Sequence, residues 1–233
     1  MIPGIQKYAI IVAGGSGTRM NSPTPKQFIP IDGKPVLMHT IQRFADFSSD
    51  IRLILVLPSS QMKEWIKLCT QYQFNLNVKL VEGGETRFHS VKNGLDAIDN
   101  LNSLVAIHDG VRPFIKNSII GESFKQAEIF GSAIACVSLK DSIRYVDINS
   151  NRAEDRTKFK LIQTPQTFQS SLIKTAYQTT TLFDFTDDAG VLESAGNKIN
   201  LIEGSYENIK ITTPEDLVIA EAILNNSKLQ QKN

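Results

Sequence analysis

Between Ala13 and Lys26 the chain sets Gly14, Gly15 and Gly17 ahead of two cations, Arg19 and Lys26. Glycines let a backbone turn sharply and come close to a bulky anion, whose oxygens the uncovered N–H groups can cradle. The cations then supply charge, so the pattern fits a nucleoside triphosphate site. The glycines alone would also suit a plain strand-to-turn junction. Two better-known glycine loops do not match. No Gly-x-x-x-x-Gly-Lys-Ser/Thr occurs. A dinucleotide fingerprint needs a third glycine opening a helix, but Met20 stands there, and Pro23, Pro25 and Pro30 bar an early helix. The segment is therefore expected to be a long, exposed loop that binds through its N–H groups, Arg19 and Lys26.

Two further stretches carry chemistry. Gly83-Gly84 precedes Arg87 and Ser90, a second glycine turn with a cation and a hydroxyl. Ser90 could alternatively cap the helix expected over 91–98. His108-Asp109 follows an apolar run directly, and a carboxylate at a strand's C-terminal end suits a Mg²⁺ ligand beside phosphates. A capping role for Asp109 is the alternative. His39, His89 and His108 show no triad or metal-ligand spacing, and His108 reads as a structural, hydrogen-bonding histidine.

These residues need a frame. Short apolar runs at 8–13, 51–57, 78–81, 104–107 and 133–139 read as buried strands, with a last strand at 198–203. Between them, helical spacing at 36–44, 59–68, 119–130 and 172–179 predicts helices. Ser59 or Ser60, Thr186 and Thr213 are expected caps, and Asp187 and Asp188, acids at the positive end of a helix, are also expected in a capping role. Residues beyond 225 are expected to fray. Alternating strands and helices predict an α/β fold: a Rossmann-like, doubly wound, mostly parallel sheet. Residues 140–160 depart from this pattern. They are polar, with strand-like alternation at 142–148 and turn chemistry at 149–151. They read as a β-arm that cannot bury itself alone, so a homodimer covering it is expected; a mobile surface excursion is the alternative.

The 233 residues suffice for one domain, 1–233, with that arm as its dimerisation element. A net charge of +1 implies no general affinity for nucleic acid or membrane. Cys69 and Cys136 form no Cys-x-x-Cys, and no signal or spanning pattern occurs, so a cytoplasmic protein is expected.

Together the motifs Ala13-Gly-Gly-Ser-Gly-Thr-Arg-Met, Pro25-Lys-Gln-Phe, Gly83-Gly-Glu-Thr-Arg-Phe-His-Ser-Val, His108-Asp-Gly-Val-Arg-Pro, Thr164-Pro-Gln-Thr-Phe, Thr186-Asp-Asp-Ala and Asn208-Ile-Lys-Ile-Thr resemble the 2-C-methyl-D-erythritol 4-phosphate cytidylyltransferases. The resemblance is colinear from Tyr8 to about Leu224. Ribitol-5-phosphate cytidylyltransferases share the first loop and the Thr-Pro-Gln segment, but usually differ at 87–95 and 186–193. Gly14, often alanine in the family, and Ser142, often threonine, are small departures. The resemblance implies cytidylyl transfer from CTP, a nucleotidyltransferase of the non-mevalonate isoprenoid pathway, with Mg²⁺ or another divalent cation. It implies Arg19, Lys26, Arg156 and Lys210 as catalytic cations. Ala13, Gly14, Gly15, Gly17, Gly84, Arg87 and Ser90 would bind the nucleotide. Asp109, Ser142, Arg156, Thr164 and Lys210 would bind the sugar-alcohol phosphate, with Asp109 near the metal. Arg156, on the arm, would act in the partner's site. A dinucleotide oxidoreductase is disfavoured by the missing third glycine, and a nucleotide sensor would not need Arg156 and Lys210.

Overall fold

In a computed structural model, residues 5–15, 20 and 22–230 are described. The chain order is β1 (Gln6–Val12), β2 (Pro30–Ile31), β3 (Lys34–Pro35), α1 (Val36–Phe47), β4 (Arg52–Leu57), α2 (Ser59–Gln71), β5 (Val78–Glu82), α3 (Arg87–Asp96) and β6 (Ser103–Asp109). Then follow α4 (Asn117–Phe130), β7 (Ser132–Ser138), β8 (Ile143–Asp147), β9 (Ser150–Glu154), β10 (Lys160–Gln169), α5 (Ser170–Thr179), α6 (Asp188–Ser194), β11 (Leu201–Glu203) and α7 (Pro214–Gln230). Seven strands form one sheet in the order β11-β7-β10-β6-β1-β4-β5. All pair in parallel except β10, which runs antiparallel to both β6 and β7.

Both faces of the sheet are covered, which explains why its strands read as continuous apolar runs. Successive side chains of β1 go to opposite faces. Ala9 and Ile11 join a core with Leu37, Phe44 and Phe124 from α1 and α4. Tyr8 and Ile10 join one with Phe88, Val91 and Ile173 from α3 and α5. The doubly wound expectation therefore holds. Strand β1 leads to β4 on one side and pairs with β6 on the other, so the winding reverses beside β1, where open α/β sheets bind ligands.

Several local expectations need correction. Residues 161–168, absent from the expected strands, belong to β10, inserted between β6 and β7. Pro165 cannot donate to a ladder, and the register shifts between Ile162 and Gln166 to accommodate it. Helix α2 starts directly after Pro58, so neither Ser59 nor Ser60 is its cap. Helix α7 runs on to Gln230 instead of fraying after 225. At its start Asp216 accepts from the backbone N–H of Thr213 at 2.9 Å, the reciprocal half of a capping box. The arm is present as a separate two-stranded sheet, β8–β9. Its Val146 and Ile148 are 73% and 94% exposed, so its own chain does not cover it. No described helix is long and apolar enough to cross a membrane.

Candidate active site

The strands β1 and β6 end side by side, with Val12 opposite Asp109. Gly110 N donates to Val12 O at 2.8 Å. A Cβ on Gly110 would lie 2.9 Å from both Ala13 Cβ and Leu37 Cδ1, so only glycine lets the two ends close up. Ala13 N donates to Val56 O at 3.0 Å, and Ala13 O accepts from the fully buried Gln27 Nε2 at 2.8 Å. Gln27 sits in a single 3₁₀ turn, Lys26–Phe28. That turn carries Lys26 back over the glycines: a Cβ at Gly15 would be 3.4 Å from Lys26 Cε and 3.5 Å from its Nζ. The expected long exposed loop thus contains a short helical turn, and Lys26 is half-buried in it. Gly17 and Arg19 lie outside the described residues.

The second turn closes on the same space. Gly83 N donates to Leu57 O at 2.8 Å, and Gly84 N donates to Ser90 Oγ at 3.1 Å. A Cβ at Gly84 would overlap His89 Cβ. Ser90 lies inside α3 and ties down the turn; the cap is Thr86, so α3 begins at Arg87 and not at 91. Arg87 lines the cavity, but its guanidinium is committed to a partner the sequence did not suggest. Nη1 and Nη2 donate to Asp188 Oδ1 and Oδ2 at 2.8 and 2.6 Å. Asp188 is fully buried and is no cap. The cap of α6 is Asp187, not Thr186, accepting from Gly190 N at 2.9 Å.

Asp109 is the electrostatic hinge of the site. Its Oδ2 accepts from Arg112 Nε at 3.1 Å and pairs with Lys210 Nζ at 3.0 Å. Burial alone would push its carboxyl up, but Lys210, Arg112 and Arg87 outweigh that and hold it well below the usual carboxylate range. Arg112 was overlooked as a site residue, although it stands three residues after Asp109 in the His-Asp-Gly-Val-Arg stretch. Its Nη1 also donates to Asn208 O at 2.8 Å, docking the 208–210 segment that bears Lys210.

Behind Asp109 runs a fixed relay. Asp109 N donates to Thr164 Oγ1 at 3.1 Å, and Thr164 Oγ1 lies 3.1 Å from His108 Nδ1. His108 Nε2 lies 3.1 Å from Arg112 O, which can only accept. Nε2 therefore carries the proton, and Nδ1 accepts from the Thr164 hydroxyl. Burial drives the His108 pKa down to about 4, matching a neutral ring. The structural reading of His108 holds. Thr164, expected to touch substrate, is buried with its hydroxyl spent on this relay.

One cavity at the strands' C-terminal ends thus gathers Ala13, Gly14, Gly15, Lys26, Gly84, Arg87, Ser90, Asp109 and Lys210. Ser142 and Arg156 do not line it. They sit exposed on the arm segment, and Arg156 Nη1 donates to Lys140 O of its own chain. A larger groove opens at the opposite end of β1, β4 and β5. Its cations are engaged within the fold, Arg52 on the Tyr8 hydroxyl, Lys79 on Ala97 O and Lys7 over the Phe124 ring, and it lacks the strand C-termini that bind ligands. Among the described residues, no three His, Cys, Asp or Glu side chains group to hold a metal.

The family model of 2-C-methyl-D-erythritol 4-phosphate cytidylyltransferase matches residues 7–226. A protein of that name from Azobacteroides pseudotrichonymphae is 48% identical over 222 residues, 94% of this chain and 99% of the relative. One from Bacteroides thetaiotaomicron is 47% identical over 221 residues, 94% of this chain and all (100%) of the relative. The solved 4-diphosphocytidyl-2C-methyl-D-erythritol synthase of Anaerococcus prevotii superposes with a TM-score of 0.82 at 31% identity, covering 95% of this chain and 97% of that one.

Proposed function

The chain belongs to the 2-C-methyl-D-erythritol 4-phosphate cytidylyltransferase family, and from that premise we propose how its residues carry the reaction. The reaction is cytidylyl transfer from CTP to 2-C-methyl-D-erythritol 4-phosphate, giving 4-diphosphocytidyl-2-C-methyl-D-erythritol and pyrophosphate in isoprenoid precursor biosynthesis. This reading prevails over ribitol 5-phosphate as acceptor.

The observation that carries the residue-level reading is the convergence of Lys26 and Lys210 on one cavity floored by the Gly14-Gly15 backbone. An oxygen of the acceptor's phosphate attacks the α-phosphorus of CTP; the new P–O bond forms as the bond to pyrophosphate breaks. Both reactants are anionic, so preorganised cations are the main catalytic need. Lys26, with Arg19 by family resemblance, stabilises the charge developing on the α-phosphate. The N–H groups of the 13–15 backbone cradle the phosphates. Gly84 and Ser90 shape the nucleoside end. Lys210, aimed by Asp109, receives the acceptor's phosphate, and Arg112 holds that pair in place.

A divalent cation fits these residues in one way only. Asp109 is a single carboxylate already shared by two cations, so the described residues offer no cage. Mg²⁺ commonly takes one or two carboxylates, substrate phosphates and water, and Asp109 is the residue that would face it. When bound, the ion would neutralise triphosphate charge. Arg156 and Ser142 act in the second subunit's site of a homodimer joined through the arm, whose exposed Val146 and Ile148 support that pairing. The enzyme works in the cytoplasm and takes no nucleic-acid or membrane partner.

Pyrophosphate release with CTP, offered each sugar phosphate separately, tests the reading. Release with 2-C-methyl-D-erythritol 4-phosphate alone is expected. Equal release with ribitol 5-phosphate, or with ATP in place of CTP, overturns it.

A further inference from the structure

Beside the nucleotide end of the cavity lies a buried charge cluster that the transfer itself does not use. Asp188, the first residue of α6, is fully buried. Its two oxygens grip Arg87 at 2.8 and 2.6 Å, and Oδ1 also accepts from the Tyr177 hydroxyl at 2.7 Å. The backbone N–H groups of Asp188 and Ala189 both donate to Gln166 Oε1 of β10 at 2.9 Å. The carboxylate is therefore fixed to the central sheet before it meets Arg87. A buried carboxylate is costly unless paired, and a planar two-oxygen grip gives direction as well as charge.

The pair is also asymmetric. The Asp188 side chain is 0% exposed and that of Arg87 is 27%. Arg87 lines the cavity, directly after the cap Thr86 and the Gly83-Gly84 turn. A purely structural ion pair between α3 and α6 could sit anywhere along their length; this one sits where α3 meets the site. We infer that Asp188 is a positioning residue for nucleotide binding: it sets Arg87, and through Arg87 the Gly84 turn, before CTP arrives. The inference rests on the reading that this turn takes the nucleoside end.

The test is a double-mutant cycle with Asp188→Asn, Arg87→Ala and both together, read as KM for CTP, KM for the acceptor, kcat and CTP binding by calorimetry. Asparagine keeps the shape and the Tyr177 hydrogen bond but not the charge. Asp188→Asn should raise KM for CTP by about tenfold while kcat and the acceptor's KM stay within about threefold. In the Arg87→Ala background it should add nothing. A normal CTP KM in Asp188→Asn, or independent effects that multiply in the double variant, overturns the inference. Tyr177→Phe separates general loosening from positioning. It should lower Tm and leave the CTP KM unchanged, and an equal rise in KM also overturns the inference. Should Asp188→Asn not fold, Arg87→Lys replaces it: one ammonium cannot grip both oxygens, so an intermediate rise is expected and no rise refutes the idea. If the wild-type enzyme itself fails to bind CTP in calorimetry, the underlying reading falls; if it binds and the variants match it, only this inference does.

Discussion

Acidification should weaken the fold through one histidine. The His108 ring is completely buried (0% exposed) against Phe44, at 5.0 Å between ring centroids, with both nitrogens engaged. Burial lowers its pKa from an ordinary 6.5 to about 4; the hydrogen bond to Arg112 O and the Asp109 charge raise it, while the charges of Arg112 and Lys210 lower it further. Between those values the unfolded chain binds a proton at this site and the folded chain does not. Stability is therefore complete above the unfolded pKa and falls as pH drops from about 6.5 toward 4. A separation of about 2.5 units at ~1.4 kcal/mol per unit gives a loss of ~3 kcal/mol from this residue. The assay is urea unfolding followed by the fluorescence of Trp65, which is buried against Phe28, at a series of pH values for the wild type and for His108→Gln. His39 is also lowered by burial, so the wild-type slope alone is ambiguous and the difference between the two proteins isolates His108. The variant should start less stable at pH 7.5 and lose about 3 kcal/mol less on descending to pH 4. Parallel curves from pH 6.5 to 4 would refute the neutral relay joining Arg112, His108, Thr164 and Asp109.

Lys26→Ala should cut turnover by about 10²–10³, the effect of deleting one preorganised charge at a developing phosphoryl charge, with Tm nearly unchanged; near-normal turnover removes Lys26 from the chemistry. Gly84→Ala forces a Cβ into His89 and should weaken CTP binding by at least about fivefold, from overpacking of roughly 1–3 kcal/mol, which calorimetry would register. Mixing inactive Arg156→Ala and Lys26→Ala chains should restore about a quarter of wild-type activity if Arg156 works in the partner's site, since random pairing gives about half mixed dimers with one intact site each. With subunit exchange demonstrated, no recovery would place Arg156 in its own chain's site.

Much of the molecule could be read from neighbouring residues alone. The buried runs of β1, β4 and β6 and the glycines beside Lys26 are short-range patterns, and short-range patterns express the period and backbone freedom of the chain itself. They set the doubly wound sheet, the place of the site at its strand ends, and most of the residues now found around the cavity. What they could not supply was the choice among partners far apart in sequence. Asp188 looked like a cap because an acid in a first turn usually is one; its true partner, Arg87, lies 101 residues away. Thr164 carries a hydroxyl that would suit a substrate, yet folding sets it under Asp109, 55 residues away. Pro165 lacks a ladder donor, and the sheet absorbs it with a register shift in β10. In each case burial left a polar group needing a partner, and only the packed arrangement of the elements determined which group came within reach.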